Sequence, residues 1–186
     1  DPGLALHEVA TRHYLTIGFA ALAGLALLAA TSTDAMLARL GTWWKRLHRL
    51  VYPVAVLALL HFFMQAKIDT SEAALMAGIF LTLMLYRLVI RLRLTIGPAV
   101  LAAVAAAGAA ATALTEAAWY GLATRIDPWR VLQANLHPAA GLRPALLVLV
   151  GALAVGMLRE IVQRLPSPGG KGGLRAAREI GVAQRA

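Results

Sequence analysis

The 186-residue sequence predicts an all-α fold, a polytopic membrane helix bundle with five transmembrane helices. Three observations predict it. Hydrophobic residues make up 60% of the chain, mean hydropathy is +0.69, and charged residues reach only 15%, where soluble domains carry roughly a quarter. The apolar residues are gathered in runs long enough to cross a bilayer, which takes about 20 residues with ~17 as the lower limit. The 18 Lys and Arg stand at the ends of those runs and between them. Spans of this kind must be helical, because lipid offers the backbone polar groups no partner outside the chain. A β-barrel would need short alternating segments, and the sequence has none.

Segment A, residues 14–30, is uncharged. Segment B, about 47–66, carries His48, Arg49 and His61. Segment C, 73–90, is interrupted only by Arg87 near its end. Segment D, 96–114, is Ala-rich and uncharged, and segment E, about 142–158, is the shortest. Gly18, Gly24, Gly78, Gly108, Gly151 and Gly156 lie within the runs. They either allow close helix contact or reflect the ordinary tolerance of membrane helices for glycine. The longest connection, 116–141, holds Trp119, Tyr120 and Trp129, residues suited to a membrane interface. Three regions follow: a core over 1–94, two further spans with a long outer loop over 95–165, and a basic flexible tail over 166–186. That tail is expected to rest on anionic lipid.

The net charge of +9 has its explanation in topology. Counted by loop, Lys and Arg distribute 13 to one side of five spans and 5 to the other. The positive-inside rule then puts the N-terminus outside and the C-terminus in the cytoplasm. Because the basic residues flank spans, nucleic acid is not expected as a partner. The absence of Cys excludes disulfides, iron–sulfur ligation and covalent c-type haem from this chain. No phosphate-binding loop, dinucleotide glycine fingerprint or HExxH motif occurs. The sequence opens on Asp with no signal peptide, so an N-terminally incomplete or processed chain is expected.

Ionisable residues inside a membrane are costly and point to function. His48 lies near the cytoplasmic end of segment B and His61 toward the outer end. Thirteen residues separate them, about 20 Å along a helix, which puts one in each leaflet. Imidazole in an apolar helical pocket suits axial ligation of haem iron, so two such histidines could serve two haems. On a straight helix, however, the rings stand roughly 140° apart and face different neighbours. Pro53 lies between them and offers a change of pitch. The competing readings are an ordinary interfacial residue for His48 and a hydrogen-bonded structural histidine for His61. His7, His13 and His137 lie outside the spans and read as solvated or interfacial.

Residues 31–61 read TSTDAMLARLGTWWKRLHRLVYPVAVLALLH. Thr31-Ser32-Thr33, Met36, Leu40-Gly41, Trp44, Leu47-His48, Val51-Tyr52 and His61 together resemble a known family. Tyr14-Leu15-Thr16-Ile17-Gly18 upstream, and Lys67 and Tyr86-Arg87 downstream, also fit. The family is that of the haem-binding membrane subunits of bacterial methionine sulfoxide reductase systems (MsrQ, also called YedZ), within the ferric reductase-like transmembrane domains. The resemblance covers roughly residues 6–94. It implies that His48 and His61 are haem axial ligands holding haem iron. It also implies that a further ligand helix precedes segment A and is missing here. The implied role is an electron-transfer subunit, not a stand-alone enzyme. Such a subunit takes electrons from quinol through haem b, in the bacterial inner membrane, to a periplasmic molybdenum-containing reductase subunit that repairs oxidised proteins. FMN is associated with the family, and no residue here marks its site. The alternatives are a ferric or other metal reductase of the same core, and a non-redox transporter or scaffold. A reporter fused after Ala186 should read as cytoplasmic, and a periplasmic signal would overturn the five-span topology.

Overall fold

A computed structural model describes residues 12–66, 69–136 and 141–165. His7, Lys67, His137 and the basic tail lie outside the described residues, so the expectations placed on them stand where the sequence left them. Among the described residues 85% are helical, with no strand. Five helical stretches are long and apolar enough to cross a membrane. They are α1 (His13–Ala30), the stretch from α3 (Thr42–Leu47) through a 3-10 turn (His48–Leu50) into α4 (Val51–Gln65), α5 (Ser71–Arg91), α6 (Pro98–Ala123) and α8 (Pro144–Arg164). Two short helices complete the order: α2 (Asp34–Leu40) between α1 and α3, and α7 (Pro128–Leu136) between α6 and α8.

The long helices carry large apolar side chains outward. Leu22, Leu83, Val155 and Met157 are all more than half exposed. In water such a surface would be an aggregation site, and in a bilayer it is the lipid contact. The buried core is correspondingly made of small residues, among them Ala73, Ala74, Ala77, Ala105 and Ala117. Helices in lipid gain little from hiding apolar area and associate by close van der Waals packing, which small residues permit. Helix α1 packs on α4, and α5, α6 and α8 pack together. Phe63 of α4 meets Trp119 of α6 at 5.0 Å between ring centroids, and Arg87 of α5 sits over Tyr52 of α4 at 5.4 Å. These contacts join the two groups.

The α5–α6 seam shows how the glycines are used. Gly78 faces the side chain of Thr112, and Gly108 faces that of Thr82, so each helix offers a notch to the other's threonine. Both threonine hydroxyls donate back to their own helix at 2.7 Å, to the carbonyls of Gly108 and Gly78 respectively. A buried hydroxyl thus keeps a partner without leaving the seam. Val148 of α8 covers Gly78 as well. Gly151, by contrast, faces open space.

Segment D ends differently from its expected boundary at residue 114. The charge on Glu116 closes the apolar run, yet the helix continues to Ala123 and holds Glu116 at 1% exposure. The connection expected as a loop over 116–141 therefore contains the last two turns of α6 and the whole of α7. Trp119 packs inward on Phe63, while Trp129 is 64% exposed as an interfacial residue would be. Gly78→Leu should destabilise the α5–α6–α8 group by about 1–3 kcal/mol through overpacking. Gly151→Leu should leave stability nearly unchanged, and thermal unfolding in detergent compares the two.

Candidate functional site

Two groups of the residues singled out in the sequence stand at the opposite ends of the α1–α4 pair. One begins where α1 ends. The Thr31 hydroxyl donates to the Leu27 carbonyl at 2.8 Å, and Ser32 donates to the Leu28 carbonyl at 2.6 Å. Thr33 caps α2 by accepting from the Met36 amide at 3.3 Å. The three residues of the Thr-Ser-Thr motif thus close one helix and open the next, satisfying backbone groups that a helix end leaves orphaned. Gly41 then joins α2 to α3 at φ +52° and ψ −122°, a conformation open to glycine. Trp44 follows. Its indole N–H donates to the Thr31 carbonyl at 2.8 Å, and its ring stacks on His48 at 4.0 Å between centroids and 22° between planes.

His48 begins the 3-10 turn, with Nε2 3.2 Å from the Thr31 hydroxyl oxygen. The hydroxyl has one proton for the Leu27 carbonyl at 2.8 Å, the Leu28 carbonyl at 3.2 Å or His48; with the proton on Leu27, His48 is the donor through Nε2–H and its lone pair is on Nδ1. His61 is half-buried on α4 and has Nδ1 2.8 Å from the carbonyl oxygen of Tyr14. A carbonyl only accepts, so Nδ1 carries the proton and Nε2 keeps its lone pair. The imidazole packs against Gly18, where an added Cβ would stand 2.5 Å from its Cε1. Gly24 admits Val54 in the same way. Glycine at these two positions is therefore a requirement of the close α1–α4 approach.

Both histidines face α1, His61 at its first turn and His48 at its last. The 3-10 turn explains how. Its three residues advance about 120° each in place of 100°, which brings the expected separation from roughly 140° down to ~80°. Pro53 sits in the first turn of α4, directly after this change of pitch, where a missing backbone N–H is tolerated. The sequence reading that the rings would face different neighbours on a straight helix is resolved by a helix that is not straight.

The donor chemistry of His61 fits a haem ligand. Metal-bound imidazole ordinarily donates its second ring N–H to a carbonyl, which orients the ring and fixes the tautomer. The His61–Tyr14 bond is of that kind and leaves Nε2 for a metal. At His48, with the Thr31 proton on Leu27, the free lone pair is on Nδ1, and ligation through Nε2 would displace the bond to Thr31. The two positions are about 20 Å apart along the helix, so they cannot serve one iron. Among the described residues no cluster of three His, Cys, Asp or Glu stands together, and His13 is exposed at the start of α1. A partner ligand for either histidine is therefore not found among them.

Comparison with known proteins shows what the chain is similar to. The chain is 48% identical over 90 residues to the protein-methionine-sulfoxide reductase heme-binding subunit MsrQ of Rhodospirillum rubrum, covering 48% of this chain and 43% of that protein. It is 48% identical over 80 residues to the MsrQ of Xanthomonas euvesicatoria, and 46% identical over 80 residues to that of Xanthomonas campestris. Each of these matches covers 43% of this chain and 37% of the relative. About half of this chain is homologous to MsrQ. It spans about two fifths of the length of the MsrQ proteins it matches. No protein-family model matches, and no solved structure matches. With five apolar helices among its described residues, the chain is a multi-pass membrane protein.

Sequence reasoning singled out His48 and His61 but missed the groups they bond to. Thr31, Trp44, Tyr14 and Gly18 were visible as motif residues, and the bonds that tie them to the histidines come from helices far apart in sequence. Gly18→Val should push the His61 ring off α1 and break its bond to Tyr14. Nitrogen NMR of the histidines should then show a mixed His61 tautomer in place of a single Nδ1–H form. Thr31→Val should change the tautomer of His48 while His61 stays as it is.

Proposed function

We propose that this chain holds haem b through His48 and His61 and works as the membrane electron-transfer part of a methionine sulfoxide reductase system. The observation that carries the proposal is the placement of two imidazoles at opposite ends of one helix pair, His61 with its Nδ1–H on a carbonyl and its Nε2 lone pair free. The relatives' printed name, heme-binding subunit, supports the same cofactor.

In this reading the residues bind and orient. Tyr14 holds the His61 ring by its backbone, Gly18 gives the ring room, and Thr31 with Trp44 holds His48 between a hydroxyl and an indole face. Bound haem supplies one-electron transfer at a potential tuned by its axial ligands and burial. The spacing of about 20 Å between the histidines takes the electron path across most of a ~30 Å hydrocarbon layer. With the C-terminus in the cytoplasm, His61 lies toward the periplasm. There it faces a molybdenum-containing reductase subunit, and electrons enter the path from quinol. The bacterial inner membrane is the compartment this requires. A further ligand to iron held by either histidine would have to come from outside the α1–α4 pair.

The test is an absorption spectrum of the purified protein expressed with its full natural sequence. Reduced b-type haem bands should be present, and His48→Ala and His61→Ala should each diminish them while the protein remains helical by circular dichroism. An intact protein without haem would sink the proposal. Reduction by a quinol followed by reoxidation by the periplasmic subunit would support this relay over a metal reductase.

A further inference from the structure

The end of the bundle bearing α7 holds a second polar assembly. Glu116 on α6 is 1% exposed, and Asn135 on α7 is 3% exposed. The Asn135 amide donates to Glu116 Oε2 at 2.8 Å and to the Val131 carbonyl at 3.1 Å. Those two bonds use its donors and leave Oδ1 buried without a partner. Glu116 also lines a recess of about 380 Å³, with Tyr120, Arg130 and Arg143 around it and Ile126 and Val131 on its apolar side. Arg143 stands at the N-cap position of α8 without a side-chain capping bond, and its Nε is buried without a partner. Across the same end, exposed Asp69 accepts from the Ser71 amide at 2.9 Å. Its carboxyl lies below the ordinary range, chiefly through Ser71 and in smaller part through the charge of Arg143.

Depth identifies the surroundings. Glu116 is eighteen residues beyond Pro98, about 27 Å along α6. The turn before Pro98 follows Arg91 and Arg93, a basic flank at one membrane face. A hydrocarbon layer of ~30 Å therefore puts Glu116 and the recess at the opposite headgroup level. Exposed Trp129 and the short helix α7 lie beside it, as interfacial elements do.

The recess asks for a ligand of two signs. Arg143 and Arg130 present guanidinium donors suited to phosphate oxygens. Glu116, the one carboxylate on the lining, presents an acceptor suited to a group with N–H donors. We propose that this recess binds the headgroup of a phospholipid carrying a phosphate and a primary ammonium, that is, phosphatidylethanolamine. The phosphate lies on Arg143 and Arg130 and the ammonium on Glu116. The quaternary head of phosphatidylcholine has no N–H to give Glu116, and phosphatidylglycerol has no cation. The site is separate from the histidines, so its test is independent of haem.

The full chain in nanodiscs of phosphatidylethanolamine, phosphatidylcholine and phosphatidylglycerol in equal parts provides the test, with retained lipid counted by native mass spectrometry after detergent extraction. Phosphatidylethanolamine should be enriched about tenfold over the other two, the size of one charge-assisted hydrogen bond. Glu116→Gln should abolish that preference. Arg130→Gln, at an exposed position where folding is safe, should lower retention of phosphatidylethanolamine. Equal retention of the three lipids by the unaltered chain would overturn the proposal, and so would an undiminished preference in Glu116→Gln. Soluble phosphoethanolamine stabilising the protein in lipid-free detergent, with no lipid preference in nanodiscs, would overturn the assignment to lipid.

Discussion

The His61 imidazole lies on Gly18 with its Nδ1 proton on the Tyr14 carbonyl, and much of the N-terminal half follows from that contact. Inside a bilayer a polar ring has no water to turn to, so it must find a partner within the protein. The nearest unhindered acceptor is the backbone of the adjacent helix, which is reachable only if that helix presents no side chain. Gly18 supplies the gap, and Gly24 repeats it for Val54. The histidine is thereby held in one orientation by its own protein, as a ring fixed by a second-nitrogen hydrogen bond is.

At the other end of the same pair, polar bonds do the same work by different means. Helix α1 must end, and its last carbonyls need donors. Thr31 and Ser32 supply them, while the Thr31 carbonyl and hydroxyl also hold Trp44 and His48. One residue therefore connects the helix end, the stacked indole and the candidate ligand. The 3-10 turn at His48 is the backbone's part in this: without it the ring would rotate away from Thr31.

The C-terminal three helices solve their packing with glycine and threonine facing each other across α5 and α6, and with a buried carboxylate at one end. Hydroxyls that bond their own helix can lie in a tight seam at little cost. Glu116 has no such local remedy and depends on Asn135 of α7, so the short helix has a reason to fold back. Arg159, on the far end of α8, donates to the Ile96 carbonyl at 3.3 Å and holds the turn between α5 and α6.

The five spans, their helical form and their approximate limits were legible in the order of residues, because bilayer thickness sets a length and lipid forbids unpaired backbone. His48 and His61 were legible for a related reason, since ionisable groups are rare where desolvation is costly. Segment D was cut short at its charge, because a run of apolar residues cannot reveal that Asn135, nineteen positions on, will satisfy Glu116. Nor could spacing alone show both imidazoles on α1, since the rotation depends on three residues of altered pitch and on a partner helix. The sequence by itself determined which segments enter the membrane, a matter of composition and local hydrogen bonding. Only the tertiary structure decided which polar groups meet there, because each of those bonds joins residues from different helices.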